Sequence, residues 1–427
     1  MPYLHINNPM SIEEKLGLMQ EDARFDVAND REAADPGLAD IKNSIKSKPG
    51  PPSAPKLFLS NDCIFNCAYC GCRSGADKRC YRTEPKELAQ FAVDEAFRKG
   101  QGIFITSAIY KNPDYTAELI IETMKVIRND IGFKGYVHAK IMPGTDPGLI
   151  RLAGRYANRL SVNIEVARSE GYAMIAKNKN KRNILTPMRQ IRDIIREENQ
   201  GDFRWKSRFA TSQCTQLMAG STGEDDYTVL RLAGALYKNY ALKRVYYTPY
   251  QCDYPAEGYE DLQAIVTPKW RQKRLYQADR LMEIYGFSPE EIAPEAQPFL
   301  AEDLDPKASW VLRNLQLFPV EVNKADYDML IRVPGIGVTY AQRIIKARRY
   351  CSLTFDSLEG LGVSLKRSGP FLTCGGKFRG KHDDDPGRVR ELLVDKTNGP
   401  SPEQTAFSAV VNKGGMIFVP DSYRRES

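Results

Sequence analysis

Between residue 57 and about residue 250, short apolar runs alternate with longer amphipathic segments six times over. The runs at 57–60 (LFLS), 102–106 (GIFIT), 135–140 (GYVHAK), 160–166 (LSVNIEV), 208–219 (RFATSQCTQLMA) and 243–248 (KRVYYT) have the length and side-chain content of strands. The first intervening helix is expected from Pro85 to Lys99, with Leu88, Phe91, Ala92 and Ala96 on one face and Gly100 ending it. Helical patterns also fill 115–130, 147–157, 186–198 and 224–239, and one more helix is expected after the sixth strand. Such alternation implies an α/β fold with a parallel sheet and right-handed crossovers. Six units are too few for a closed eight-fold barrel.

Directly after the first run comes Cys63-Ile64-Phe65-Asn66-Cys67-Ala68-Tyr69-Cys70, three thiols spaced four and then three residues apart. One loop can wrap three such sulfurs around one corner of an inorganic core. Thiolates are soft ligands that suit iron–sulfur clusters or zinc. Structural zinc wants four protein ligands, often from two distant Cys pairs, and the chain offers no second CxxC and only three histidines. The residues alone leave open a zinc site completed by Cys72 or Cys80.

Composition sets wide bounds. A chain of 427 residues predicts two or three domains, and 42% hydrophobic with 27% charged residues is ordinary for a soluble globular protein. No run of 18 apolar residues offers a membrane span, and the N-terminal MPYLHINNPMSIEEK lacks the features of a secretory signal. Nine cysteines, three of them clustered, argue against a disulfide framework and for a reducing cytoplasm. A net charge of +7 allows a polyanionic partner, though solubility alone accounts for it equally well.

CxxxCxxC after a first strand, with Tyr69 before its last cysteine, resembles the radical S-adenosylmethionine (SAM) superfamily. The resemblance implies a partial (βα)6 barrel with chemistry at the C-terminal strand ends. It implies a [4Fe-4S] cluster on Cys63, Cys67 and Cys70 whose open iron chelates SAM, and reductive cleavage to a 5′-deoxyadenosyl radical. It places Tyr69 near adenine, Ser107 or Thr106 near the SAM amino group, and Asn163 and Glu165 at the ribose and carboxylate. Gly220 and Gly223, in the turn after the fifth run, would lie beside adenine, although the same turn reads equally as a strand–helix turn capped by Ser221 or Thr222. Ser161, Asn163 and Glu165 alternate and so are expected on one face of a strand. Lys177 and Lys179 are weaker candidates for the SAM carboxylate. Tyr247 and Cys252, in the aromatic stretch into which the sixth run opens, are candidates to return hydrogen to a substrate radical. Strand two ends Ile105-Thr106-Ser107-Ala108, a departure from the family's Gly-Gly-Glu-like turn.

Residues 321 to 349 hold Val333-Pro334-Gly335-Ile336-Gly337 between two helical segments. This resembles a helix-hairpin-helix module. Gly335 and Gly337 permit unusual backbone geometry, the following helix offers amides to a phosphate, and Arg343, Lys346, Arg348 and Arg349 add positive charge. A plain helical hairpin with a solvated basic face is the simpler reading. A weaker second hairpin is expected around Gly360-Leu361-Gly362. The combination resembles radical SAM proteins assigned to DNA modification or repair and paired with a uracil-DNA-glycosylase-like partner. It implies DNA as substrate and an electron donor such as flavodoxin or ferredoxin. RNA modification, or a DNA-binding protein with a structural or redox-sensing cluster, are the alternatives. The expected organisation is an N-terminal helix and linker (1–56), the partial barrel (57–255), a helical connector (256–320), an all-α helix-hairpin-helix domain (321–380) and an irregular tail (381–427).

Overall fold

The computed structural model describes residues 10–22, 54, 56–199, 210–250, 266–379 and 385–394. Helix α1 (Ile12–Asp22) opens the fold, with Ser11 and Glu14 forming a reciprocal cap at its start. Six strands then lie side by side in chain order, all parallel: β1 (Lys56–Phe58), β2 (Ile103–Thr106), β3 (Val137–Lys140), β4 (Arg159–Ser161), β5 (Ser212–Ala219) and β6 (Leu242–Pro249). Helices α2 (Pro85–Lys99), α3 (Pro113–Lys125), α4 (Pro147–Tyr156), α5 (Lys181–Asn199) and α6 (Asp226–Tyr240) make the crossovers. Helix α7 (Lys269–Tyr285) follows β6. The α/β core with six parallel strands is the one the alternating pattern predicts.

Local chemistry sets the helix boundaries. Helix α2 has proline in its first turn, and Gly100 ends it in the left-handed region at φ 59°. It buries Leu88, Ala89, Ala92, Val93 and Ala96, while Phe91 is only half-buried. Side chains of Asn112, Asp146 and Asp225 accept hydrogen bonds from first-turn amides of α3, α4 and α6. The segment expected as one helix over 115–130 is α-helical only to Lys125, then widens into a π turn over Val126–Asp130.

The sheet does not close on itself, so β1 and β6 each present an edge of unpaired backbone groups. Side chains cover both. Gln20 of α1 donates to the Lys56 carbonyl at 2.8 Å. On the far side, Tyr276 of α7 accepts from the Tyr247 amide at 3.0 Å and Gln272 donates to the Tyr247 carbonyl at 2.7 Å. The lower interior holds a polar plug rather than a pore. Phe104 stacks on His138 with centroids 4.3 Å apart, and His138 Nε2 lies 2.8 Å from Ser161 Oγ and 3.7 Å from the Cys214 sulfur.

The C-terminal unit corrects the all-α expectation. Its helical segments (Tyr327–Leu330, Val338–Ala347, Phe355–Gly360 and Leu365–Ser368) accompany a small sheet of β7 (Val320–Glu321), β8 (Leu372–Cys374) and β9 (Lys377–Phe378). Gly375 and Gly376, at φ 58° and 75°, supply the tight β8–β9 turn. Glu321 locks it: its carboxylate accepts from the amides of Gly375, Gly376 and Asn323 and from the Thr373 hydroxyl. The expected irregular tail also contains a helix, Pro386–Leu393. Asp385 caps it, Pro386 opens it, and Val389 and Leu393 are buried.

Partial burial works against charge on Glu321, but its donors outweigh this and hold the carboxyl at about 2, below its ordinary 4.5. A depressed acid stabilises the fold above its unfolded value and ceases to do so as pH falls through its folded one. In urea unfolding across pH, wild type should therefore exceed Glu321→Gln by a constant margin at neutral pH. That margin should shrink below pH 4.5 and vanish near pH 2.

Candidate active site

The C-terminal ends of the strands surround a cavity of about 770 Å³, counting the part open to solvent. Cys63, Cys67 and Cys70 line it together with Tyr69, Ser107, Asn163 and Glu165, seven residues that the sequence marks from three separate stretches. Lys140, Lys179, Gln216 and Cys72 are also on the wall, and Phe58, Ile109, Ile141, Met142 and Pro143 supply its apolar surface.

The cysteine loop is held from three directions. The Ile64 amide donates to the Ile109 carbonyl at 2.9 Å, which ties it to the segment after β2. The Ala68 amide donates to the Ile175 carbonyl and the Asn66 amide to the Asn178 side chain, both at 2.8 Å, which ties it to the segment after β4. Beneath it, Lys78 donates to the carbonyls of Asn61 and Cys72. The Phe65 amide points at the Cys63 sulfur at 3.4 Å, the kind of contact that tunes a cluster. Burial pushes the Cys67 thiol up to about 12, with Lys179 pulling the other way, and burial also raises Cys63. Metal uptake at these sulfurs must therefore displace protons.

Above Ser161 the β4–β5 ladder opens. The Thr215 hydroxyl inserts between the strands, accepting from the Ile164 amide at 2.9 Å and donating to the Val162 carbonyl at 2.7 Å. The strands rejoin where the Glu165 amide donates to Gln216 and the Glu165 carbonyl accepts from Met218. Glu165 itself has φ 63°, which a residue with a Cβ seldom adopts. It reaches the cavity through this turned backbone, which corrects the expectation of simple strand alternation. Asn163 does face inward as expected and donates to Gln216 Oε1 at 3.3 Å. Ser161 lies deeper, on His138, and does not line the cavity.

Glu165 is 2% exposed. Its Oε1 accepts from Lys179 Nζ at 2.7 Å, and its Oε2 has no hydrogen-bond partner among the described residues. Lys179 also donates to the Tyr69 hydroxyl at 3.1 Å. Burial opposes the Lys179 charge, but Glu165 outweighs it and keeps the ammonium above its ordinary range. Lys177 is exposed and does not line the cavity.

Other expected site residues lie elsewhere. Tyr247 points away from the cavity: it pairs with Leu217, while Tyr246 pairs with the inward-facing Gln216. Its hydroxyl donates to Asp279 Oδ1 of α7 at 2.8 Å, beside Tyr237 and Arg244, so it belongs to the packing between sheet and helix. Gly220 and Gly223 form the positive-φ turn after β5, and neither lines the cavity. Gly220 is needed because a Cβ there would meet the Thr267 hydroxyl at 2.0 Å. Cys252 lies outside the described residues. Cys80 is exposed and does not line the cavity, whereas Cys72 does.

In the C-terminal unit, Gly337 caps helix Val338–Ala347, of which Ala341 and Ile344 are buried and Ile345 is half-buried. Each positive-φ glycine abuts the helix of the other hairpin. Gly335 (φ 79°) faces Arg367 and Ser368, and Gly362 (φ 89°) faces Tyr340 and Arg343. Arg343 donates to the Leu361 carbonyl at 3.0 Å, so it joins the hairpins, while Lys346 is exposed. Arg348 is taken up by the carbonyls of Val322 and Ala325.

Sequence reasoning did not single out Lys140 or Gln216. For Lys140 the signal was present, since it alternates with His138 in the run VHAK; Gln216 directly follows Thr215 and carries no such period.

No family model matches the chain, and no curated protein matches it. Among solved structures it is similar to HydG, a maturase of the [FeFe]-hydrogenase, with TM-score 0.43 and 14% identity over 64% of this chain and 62% of that one. It is also similar to methylornithine synthase (PylB), with TM-score 0.41 and 13% identity over 65% of this chain and 74% of that one. A third is the radical S-adenosylmethionine methyltransferase TsrM from Kitasatospora setae, with cobalamin and a [4Fe-4S] cluster bound, at TM-score 0.36 and 11% identity over 52% of this chain and 40% of that one. The match to HydG spans less than two thirds of that chain's length.

The placement of Tyr247 predicts that Tyr247→Phe lowers stability by about 1.5–3 kcal/mol in chemical denaturation, the usual loss for a hydrogen bond to a charged group.

Proposed function

We propose that this protein is a radical SAM enzyme that uses a [4Fe-4S] cluster to cleave S-adenosylmethionine reductively and acts on DNA, in its modification or repair. The observation that carries the reading is the convergence of three thiols and one unpartnered buried carboxylate oxygen on a single cavity at the C-terminal strand ends. Among the described residues, no group of three Cys, His, Asp or Glu side chains is disposed to hold a single metal ion. A polynuclear cluster spreads its thiolates over several irons and is not bound by that requirement.

The donor set fits such a group. Cys63, Cys67 and Cys70 would hold three irons. Glu165, Asn163 and Ser107 offer hydrogen-bonding groups to a polar cofactor, and Tyr69 offers a ring to its base. When bound, cluster and SAM supply one-electron cleavage of the sulfonium to a 5′-deoxyadenosyl radical that takes hydrogen from a substrate. The chain's part is to orient and to exclude water. Phe58, Ile109, Ile141, Met142 and Pro143 make the wall dry, and the three anchors of the cysteine loop keep the sulfurs in place.

The DNA assignment is supported by the paired hairpins and by exposed Lys346, Arg349, Lys366 and Lys377 on the same unit. Such groups suit phosphate contacts, which position a duplex without reading it. A nucleotide would have to leave the stack to reach the cavity. A one-electron donor such as flavodoxin or ferredoxin and a uracil-DNA-glycosylase-like partner complete the proposal, with the protein acting in the cytoplasm.

The test is anaerobic reconstitution with iron and sulfide, then reduction with SAM and duplex DNA. The expected outcome is three to four irons per chain and 5′-deoxyadenosine by mass spectrometry, carrying label when the DNA is deuterated. Alanine at Cys63, Cys67 or Cys70 should abolish iron retention, while Cys80→Ala should not. A colourless protein holding zinc would overturn the enzyme reading. Label transfer from RNA but not DNA would overturn the substrate.

A further inference from the structure

We propose that Lys179 is a positioning residue that clamps the end of the fourth strand to the cysteine loop and sets the reduction potential of a cluster held there. The inference rests on the cluster reading above.

The ammonium of Lys179 holds Glu165 and, 110 residues back along the chain from the lysine, Tyr69. It sits 2.7 Å from Glu165 Oε1 and 3.1 Å from the Tyr69 hydroxyl, and 5.8 Å from the Tyr69 ring centre. Tyr69 lies between the ligands Cys67 and Cys70, so the lysine's grip on the ring is a grip on the loop. Two further ties run in parallel, from Asn66 to Asn178 and from Ala68 to Ile175. Together they make residues 175–179 a rigid backing for the thiols.

The pair is also shielded from solvent, with side chains 11% exposed for Lys179 and 3% for Glu165. A charge in such a place is little screened by water or salt, so it acts on neighbouring charges far more strongly than a surface lysine. Reduction adds one electron to a cluster that already carries thiolate charge. A fixed cation beside Cys67 and Cys70 favours that step, and a fixed anion opposes it. Lys179 and Glu165 therefore pull in opposite directions, and the potential reflects their balance.

The test is potentiometric titration of the reconstituted full-length chain, followed by electron paramagnetic resonance of the reduced cluster. Lys179→Met should shift the potential down, Glu165→Gln should shift it up, and the double variant should return near wild type. Lys179→Arg, which keeps the charge, should restore most of the shift seen with methionine. Single variants that leave the potential unmoved, or move it the same way, overturn the role of Lys179. If Lys179→Met takes up no cluster, Lys179→Gln decides the question in its place: a downward shift supports the role and an unmoved potential overturns it. A wild-type chain that takes up no iron–sulfur cluster at all overturns the underlying reading instead, so the two failures are told apart.

Discussion

The hydroxyl of Thr215 does the work of two backbone groups between the fourth and fifth strands, and the cavity exists because of it. A parallel ladder that continued unbroken past Ser161 would present a flat polar row. The inserted hydroxyl satisfies the Ile164 amide and the Val162 carbonyl while the strands spread, so neither of these two groups is left without a partner. That freedom lets residue 165 turn, aim its carboxylate at Lys179 and still rejoin β5 at Gln216 and Met218. The packing below, where His138 meets Ser161 and Cys214, fixes the register on which the opening depends.

Much of this arrangement was legible in the chain. The cysteine spacing is local, so Cys63, Cys67 and Cys70 could be assigned without knowing what surrounds them. Helix limits were legible for the same reason, since Asn112, Asp146, Asp225 and Gly100 act within a turn of their own position. Which of two adjacent tyrosines shares the inward face of the sheet was not legible. The pairing of Gln216 with Tyr246 decides it, and pairing is a property of two strands together. Glu165 lines the cavity, but not by strand alternation, which does not anticipate a left-handed residue at a strand's end. The β7–β9 sheet was invisible because strands of two or three residues carry no period to detect.

The C-terminal unit follows a different logic. Its hairpins are small, and neither glycine turn stands alone. Each one is packed under a helix of the other, with Arg343 bridging to Leu361 and the Glu321 carboxylate closing the ends through the small sheet. Contacts to the connector add to this: Lys307 donates to the Ile336 carbonyl, and Arg332 pairs with Glu291 at 2.9 Å. Charge is thus divided between residues that hold the unit together and residues such as Lys346 that remain outside.

The torsion at Glu165 has an evolutionary corollary. Exchange at that position passes two separate filters. Asparagine and aspartate tolerate the backbone, but their side chains are one carbon too short to meet Lys179 where glutamate does. Glutamine keeps the reach and forfeits the charge. Descendants of this chain that take a different ligand should therefore have changed the more permissive walls, at Lys140, Gln216 or Met142, and left this corner alone.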